Sequence, residues 1–524
     1  MKKNNLLVLS FILFLGCILR LYGINWDQGF HLHPDERMLI MVADRINFFN
    51  NLNPDFFNYG SLPIYLLKGI TQLLDYLIKT QLANYNGMLI VGRIISTCFD
   101  LLTIIFIYHI ANILFRKKMI SLFSAFFYVI AFFPIQNSHF FVVDVFLTTF
   151  TTILIYLLLL YSKSPSIKKT VFIVIIFAAM LATKITAIIF IPIVWLTIII
   201  KSKQKLLDFL TFNFSLLTFH FLFMPYAYLN FQKFLADISL QIKMNSDPYI
   251  FPYTLQYVGA VPYLYYLKNI LLWGLGPIIT ILSITGLLSL RAKRSNLFLF
   301  LLFYILYFLI VGRSAVKFMR YMLPLYPFFA ILAGFGLFYL LSFRGTIVTK
   351  NLFRFLATLG ITGAVIWTFM FINIYSQPHT RISATNWILN NIPKGSTLAT
   401  EHWDDGLPLY GGENYKFEEL TLYDRPDEET KWQVLNEKLK RTDYIVIASN
   451  RLYVPLQKLS DCNKFKSCYP LTAQYYQKLF SGSLGFKEVA EFAVSPLFIN
   501  DQSADESFTV YDHPKIMVFK KMVQ

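Results

Sequence analysis

The feature that most constrains this chain is the run of long apolar stretches along it. They fall near residues 5–23, 87–114, 119–135, 142–161, 170–183, 185–200, 206–225, 269–290, 296–312, 322–343 and 354–375. Most are long enough to cross a hydrocarbon core of ~30 Å as a helix; those at 170–183 and 185–200 are short. In lipid each backbone N–H and C=O must find a partner inside the protein, and a helix meets that demand within one segment. The expected fold is therefore a polytopic α-helical membrane protein with about eleven transmembrane helices. Composition agrees: of 524 residues, 56% are hydrophobic and only 15% are charged, which is not the balance of a soluble protein.

The formal charge of +17 could suggest a nucleic-acid partner, but its distribution excludes one. The basic residues sit in short breaks between apolar runs: Arg116-Lys117-Lys118, Lys163 with Lys168-Lys169, Lys201, Lys203 and Lys205, then Arg291, Lys293 and Arg294, then Arg344, Lys350 and Arg354. Counted from a cytoplasmic N-terminus, all of these breaks face the cytoplasm, as the positive-inside rule requires. The expected location is the inner or plasma membrane, with an uncleaved first helix, since no small-residue cleavage site follows the first run. Segment 61–79 is fairly apolar but carries Lys68, Gln72 and Asp75, and it reads as an interfacial or re-entrant helix.

Residues 1–375 thus read as a membrane domain with two long outer loops, 24–86 and 226–268, the second rich in Tyr and Pro. From about 376 the long apolar runs stop and charge rises. Residues 376–524 read as a soluble extracytoplasmic α/β domain, with strands at 396–400, 444–448 and 515–520 and a helix at 428–440. In an oxidising location Cys462 and Cys468 can close a small disulfide loop; Cys17 and Cys98 read as inert filler.

Candidate chemistry gathers at the outer ends of the spans. Pro34-Asp35-Glu36 has an ordinary structural explanation, proline at a helix start with acids offsetting the helix dipole. Its place at the mouth of a membrane body suggests a general base or a metal site instead. Asp35 and Glu36 are candidate ligands for a divalent metal ion, and His31 and His33 with Asp35 could bind zinc, though that set is not specific. Asp144 opens the fourth run, five residues after His139; a charge entering an apolar helix is costly, and a water-exposed helix-start acid is its ordinary alternative. Arg93 and Asp100 share a face of the second run, and an internal pair between them is expected. Lys184 and, before the tenth run, Arg313, Lys317 and Arg320 are outer cations able to hold a phosphate or simply to snorkel. No nucleotide-binding loop is present, so a transferase built this way needs a donor already activated in the lipid.

Several motifs carry a family resemblance. They are His33-Pro34-Asp35-Glu36, Tyr59-Gly60-Ser61-Leu62-Pro63-Ile64-Tyr65, Gly92-Arg93, Ser138-His139 with Val143-Asp144, Thr183-Lys184, and Arg320-Tyr321-Met322-Leu323-Pro324. In the order of these motifs across about 1–375 the chain resembles the polyprenyl-phosphate-sugar-dependent glycosyltransferases of the GT-C fold, relatives of protein O-mannosyltransferases and aminoarabinose transferases. That resemblance implies an inverting transfer of a sugar from a polyprenyl-phosphate donor to an acceptor on the outer face. It implies an acid of the first outer loop as base or metal-associated residue, with Asp35, the first acid, favoured, and cations holding the donor phosphate; the candidate catalytic residues are then Asp35, with Glu36 and Asp144 positioning acceptor or donor. His33, Tyr59, Arg93, His139, Lys184, Arg320 and Tyr321, which lie in the matching motifs, are the candidate substrate-binding residues. The chain's His-Pro before the acids departs from the aminoarabinose transferases, so their acceptor is not carried over. A transporter or flippase of a lipid-linked or anionic solute is the alternative; a receptor with an outer binding domain is a third class. Transporters tend to place their charges mid-membrane in repeated halves, whereas here most candidate charges sit at outer helix ends and Asp100 is the exception.

Overall fold

The computed structural model describes residues 3–290, 295–342 and 347–522. The basic breaks at 291–294 and at Arg344 lie outside the described residues. The chain forms two compact units: Met1–Ile24, His33–Ile242 and Val261–Phe369 make the first, and Asn25–Leu32, Lys243–Ala260 and Met370–Gln524 the second.

The first unit is helical. Helix α1 (Lys3–Leu21) is followed by α2 (Pro34–Arg45), α3 (Leu62–Ile78), α4 (Gly87–Phe115), α5 (Lys118–Val129), α6 (Phe132–Ser138), α7 (Val143–Lys163) and α8 (Ile167–Leu181). All eleven apolar runs contain helix. Among the described residues, however, seven helices are long and apolar enough to cross a membrane, or eight if α5 and α6 count as one span bent by 57°. The protein is a multi-pass membrane protein. Proline explains much of the shortening. Pro134 has no N–H to extend the α5 ladder, and its ring would meet the carbonyl of Ile130, so the chain bends there. The run at 269–290 is broken at Gly276-Pro277, where Gly276 has φ +80° and any side chain would strike the Trp367 indole; only Pro277–Ser289 continues as α-helix. The runs at 170–183 and 185–200 become α8 and a 3-10 turn leading into Ile191–Lys201. Segment 61–79 forms α3, which is not among the helices long and apolar enough to span.

Helix α4 packs on α5 and α7, and α7 on α8. A buried charged network joins α1 to α4 and α5. Arg20 is paired with Asp100, whose other carboxylate oxygen accepts from the Tyr128 hydroxyl at 2.6 Å, while Arg20 Nη1 donates to the Val129 carbonyl at 3.2 Å. The expected Arg93–Asp100 pair is therefore not formed: Asp100 has a partner from another helix.

The second unit carries a five-stranded sheet in the order β2-β1-β3-β5-β4, built from β1 (Thr397–Glu401), β2 (Lys416–Leu420), β3 (Tyr444–Ile447), β4 (Phe486–Phe492) and β5 (Ile516–Lys521). Strand β1 runs parallel to both β2 and β3, whereas β5 is antiparallel to β3 and β4. Alternate residues feed two apolar layers, Ala399, Ile445 and Phe519 on one face and Leu398, Val446 and Val518 on the other. Three of these strands and the helix Glu429–Arg441 match the expected elements; β2 and β4 were not expected. Cys462 and Cys468 are disulfide-bonded, as anticipated.

Candidate active site

The site lies in the first unit and begins with the cap of α2. Pro34 takes the first turn, where no intrahelical N–H is needed, and His33 caps it by accepting the Glu36 amide on Nδ1 at 3.4 Å. The His33 ring packs 4.5 Å from that of Phe140. The two acids that follow point different ways, as successive helical residues must. Glu36 turns inward. Arg93 grips it with Nε–Oε1 at 3.0 Å and Nη2–Oε2 at 2.7 Å, and the Phe141 amide donates to Oε1 at 2.8 Å. Both side chains are fully buried. Gly92 is the reason this fits: a Cβ there would come within 2.8 Å of the Phe141 ring.

Asp35 faces the other way and keeps 19% of its side chain exposed. Its Oδ2 lies 2.9 Å from Arg320 Nη2, and the Tyr59 hydroxyl hydrogen-bonds its carboxylate. Arg320 Nε is 3.7 Å from Asp144 Oδ2, and Asp144 Oδ1 is 2.7 Å from Lys184 Nζ. The charges thus alternate along a row: Asp35, Arg320, Asp144, Lys184. Tyr321 and Phe318 floor it, with Lys184 Nζ 4.4 Å from the Tyr321 ring centre and the Arg320 guanidinium 4.3 Å from that of Phe318.

The loop bearing Tyr59 is held by backbone contacts at the break after α8. The Gly60 amide donates to the Thr183 carbonyl at 2.9 Å and the Leu62 amide to that of Ala182 at 3.0 Å. A Cβ on Gly60 would lie 2.0 Å from the Ala182 oxygen, so only glycine permits this docking. One junction therefore positions Tyr59 and Lys184 together.

Burial alone would raise the Asp35 pKa, but the charges of Arg320 and His33, the Tyr59 hydrogen bond and Lys184 outweigh it and hold the carboxyl below its ordinary value. The Tyr59 hydroxyl is pushed well up, by burial first and by Asp35 second, so it remains a donor.

Of the residues singled out from the sequence, Asp35, Tyr59, Asp144, Lys184, Arg320 and Tyr321 come together. His33 caps the helix that presents Asp35. Arg93 and Glu36 are joined to each other and fully buried. His139 stands apart from it, with Nδ1 2.8 Å from the Ile135 carbonyl and Nε2 2.8 Å from that of Tyr22. Lys317 donates to the carbonyls of Ser314 and Ala315 at 2.8 and 3.0 Å, which ties down its own loop. Phe318 was not singled out; its place two residues before Arg320 was the available signal. Among the described residues no group of three or more His, Cys, Asp or Glu side chains is arranged to hold a metal ion. Glu36 fits a ligand role poorly, since Arg93 and the Phe141 amide occupy its oxygens, and a cation on Asp35 would compete with Arg320.

This helical body, with its row of acids and cations, has the GT-C fold. The model of the dolichyl-phosphate-mannose-protein mannosyltransferase family matches residues 73–229. Among solved structures, the Archaeoglobus fulgidus oligosaccharyltransferase AglB in complex with an inhibitory peptide and a dolichol-phosphate is similar at a TM-score of 0.55 and 12% identity, over 99% of this chain and 88% of that one. The apo form of the A. fulgidus enzyme gives 0.54 and 11%, over 99% and 89%. Its complex with Zn and sulfate gives 0.50 and 12%, over 98% and 88%. No curated protein matches the sequence.

Proposed function

We propose that the protein is a membrane glycosyltransferase that moves a sugar from a polyprenyl-phosphate donor to an acceptor on the outer face of the membrane. The observation that carries this reading is the Asp35–Arg320–Asp144–Lys184 row, which offers a carboxylate base and two cations side by side at partly exposed positions. The family model and the fold likeness support the same class, and the dolichol-phosphate in the AglB complex is the lipid chemistry the cations suit.

In this reading Lys184 and Arg320 hold the donor phosphate. The acceptor's nucleophilic atom attacks the anomeric carbon as the bond from that carbon to the phosphate oxygen breaks. The electron pair leaves with the lipid phosphate, and the acceptor proton passes to Asp35. A single displacement inverts the anomeric configuration. Tyr59 orients Asp35, and Asp144 keeps the two cations in place. A phosphate that engages Arg320 also weakens its pull on Asp35, so donor binding strengthens the base. The residues require no metal for this step. A divalent ion could enter only through Asp35 or Asp144 in competition with the cations. The N-terminus is cytoplasmic and the unit bearing the sheet extracytoplasmic, on the strength of the basic breaks.

The test is transfer of labelled sugar from a polyprenyl-phosphate donor in a lipid extract to endogenous acceptor by the purified protein in lipid nanodiscs. Donor consumption with release of lipid phosphate supports the reading. Movement of intact labelled lipid between leaflets without cleavage would replace it by the flippase reading.

A further inference from the structure

One loop of the second unit ends in an apolar tip that the transfer reaction does not use. Strand β4 stops at Phe492, and the chain goes on through Ser495-Pro496-Leu497-Phe498-Ile499-Asn500. The Ile499 amide donates to the Pro496 carbonyl at 3.1 Å, which closes a four-residue turn. Phe498 is the third residue of that turn, at φ +60°, a place ordinarily given to Gly or Asn. Among the described residues no large apolar side chain is more exposed: Phe498 is 99% exposed, and Leu497 beside it is exposed as well. In water this arrangement would be unfavourable twice, once for the backbone and once for the ring.

Two ties fix the turn at the end of the helix Ile347–Ile372. On one flank the Leu497 amide donates to the Met370 carbonyl at 3.2 Å. On the other, His513 Nε2 donates to Asp501 at 2.7 Å and its Nδ1 to Asp512 at 2.5 Å, while the Tyr375 hydroxyl, just past the same helix, donates to Asp512 at 2.8 Å. Burial alone would lower the His513 pKa, but Asp512 and Asp501 raise it to about 10, so at neutral pH the ring is protonated and keeps both bonds. All of these residues belong to the second unit. The helix itself sets the depth of the place. Between Arg354 and Arg381 it and its extension carry no Asp, Glu, Lys or Arg. A hydrocarbon core of ~30 Å takes ~20 helical residues, which leads from Arg354 to about Asn373. Met370 therefore lies about one turn short of the far hydrocarbon edge. Leu352, Phe355, Leu359, Ile366 and Phe369 are exposed at helical spacing, the stripe that meets lipid, and the same period brings Met370 to that side.

We propose that the turn at 496–499 is a membrane anchor, in which Phe498 and Leu497 enter the lipid beside the end of the helix Ile347–Ile372 and hold the sheet-bearing unit to the bilayer surface. Lipid is the occupant because the turn is bonded to a carbonyl at the depth of the hydrocarbon edge and on the lipid-facing side of its helix. Aromatic rings gather at that level, and burial of the ring there offsets what its exposure would cost in water. The anchor holds whether or not the transfer reaction proceeds, and on whichever side of the membrane the unit lies.

The test is spin labelling of the full chain in lipid nanodiscs, with Cys17 and Cys98 replaced by serine and the Cys462–Cys468 disulfide intact. Nitroxides are placed at Leu497→Cys, at Phe498→Cys and, on the exposed start of β4, at Lys487→Cys. The labels at 497 and 498 should collide more with oxygen, which concentrates in lipid, than with a water-soluble nickel chelate, and the label at 487 the reverse. Adding Phe498→Asp to the Leu497→Cys chain should move its oxygen-to-nickel ratio several-fold toward that of 487, whereas Phe498→Trp should keep it. Thermal melting checks that each variant is folded; should Phe498→Asp fail to fold, Phe498→Ser decides. The proposal is overturned if 497 and 498 collide mainly with the nickel chelate, which puts the tip in water. It is also overturned if both labels are shielded from both reagents, which means that protein covers the tip, or if the polar substitution leaves the ratio at 497 unmoved.

Discussion

Asp35 and Arg320 form an ion pair at 2.9 Å. They come from opposite ends of the first unit's sequence, one from the first turn of α2 and the other from a 3-10 segment just ahead of the helix Tyr326–Leu341. The pairing makes the ionisation of the candidate base depend on the same cation that would hold the donor.

That coupling predicts the pH profile. The Asp35 carboxyl is held below its ordinary value of 3.8, so it stays ionised as pH falls toward that value. The kcat/KM for transfer should be flat from about pH 7 down to about pH 5 on the Asp35 limb. In Arg320→Gln the largest opposing charge is gone while burial, which raises the pKa, remains; the acidic limb should move up. A wild-type limb within that range, or one unmoved by Arg320→Gln, contradicts the pairing.

A second prediction separates donor from acceptor. Lys184 stands 2.7 Å from Asp144 and over the Tyr321 ring. Lys184→Ala should raise the KM for the lipid donor about tenfold or more while changing that for the acceptor little. Steady-state kinetics with each substrate varied in turn gives the answer. Equal effects on both would move the phosphate site away from Lys184.

The third concerns the two neighbouring acids. Glu36 is buried against Arg93, so Glu36→Gln should destabilise the membrane unit by ~3–5 kcal/mol, the usual cost of breaking a buried pair. Replacing both partners, Glu36→Gln with Arg93→Met, should recover part of the loss. Asp35→Asn should melt close to wild type. Melting in nanodiscs compares them, and a Glu36→Gln variant as stable as wild type would remove the structural role assigned here.

A fourth tests orientation. A cysteine placed at Ser166, in a chain whose Cys17 and Cys98 are replaced by serine, should react with membrane-permeant but not with impermeant thiol reagents in intact cells. Labelling from outside would invert the proposed topology and put the sheet-bearing unit in the cytoplasm.

The parts of the site were legible in the sequence because each is a charge or aromatic in a place where membrane proteins rarely keep one. Asp144 opens an apolar helix, Lys184 interrupts an apolar run, and Asp35 follows a helix-starting proline. Which charge meets which was not legible. The spacing of Arg93 and Asp100 correctly puts them on one face of α4, but periodicity within a helix is silent about what other elements bring to that face. Here α2 brings Glu36 to Arg93 and α1 brings Arg20 to Asp100. The helix count went the same way: hydropathy found every apolar run, while Pro134 and Gly276-Pro277 decided where the helices stop or bend. In the second unit the inner strands β1, β3 and β5 were readable as apolar runs. Strands β2 and β4 lie at the sheet edges and carry Lys and Glu on their exposed positions, a pattern that guards an edge and hides a strand from hydropathy.

The central claim is that Asp35 accepts the acceptor's proton during sugar transfer. Asp35→Asn keeps the shape of the side chain and removes its basic oxygen. With a matched polyprenyl-phosphate donor and acceptor, measured in nanodiscs on protein of wild-type melting temperature, the variant should transfer sugar about 10²-fold more slowly or worse, with donor KM little changed. Transfer at close to the wild-type rate would falsify the assignment.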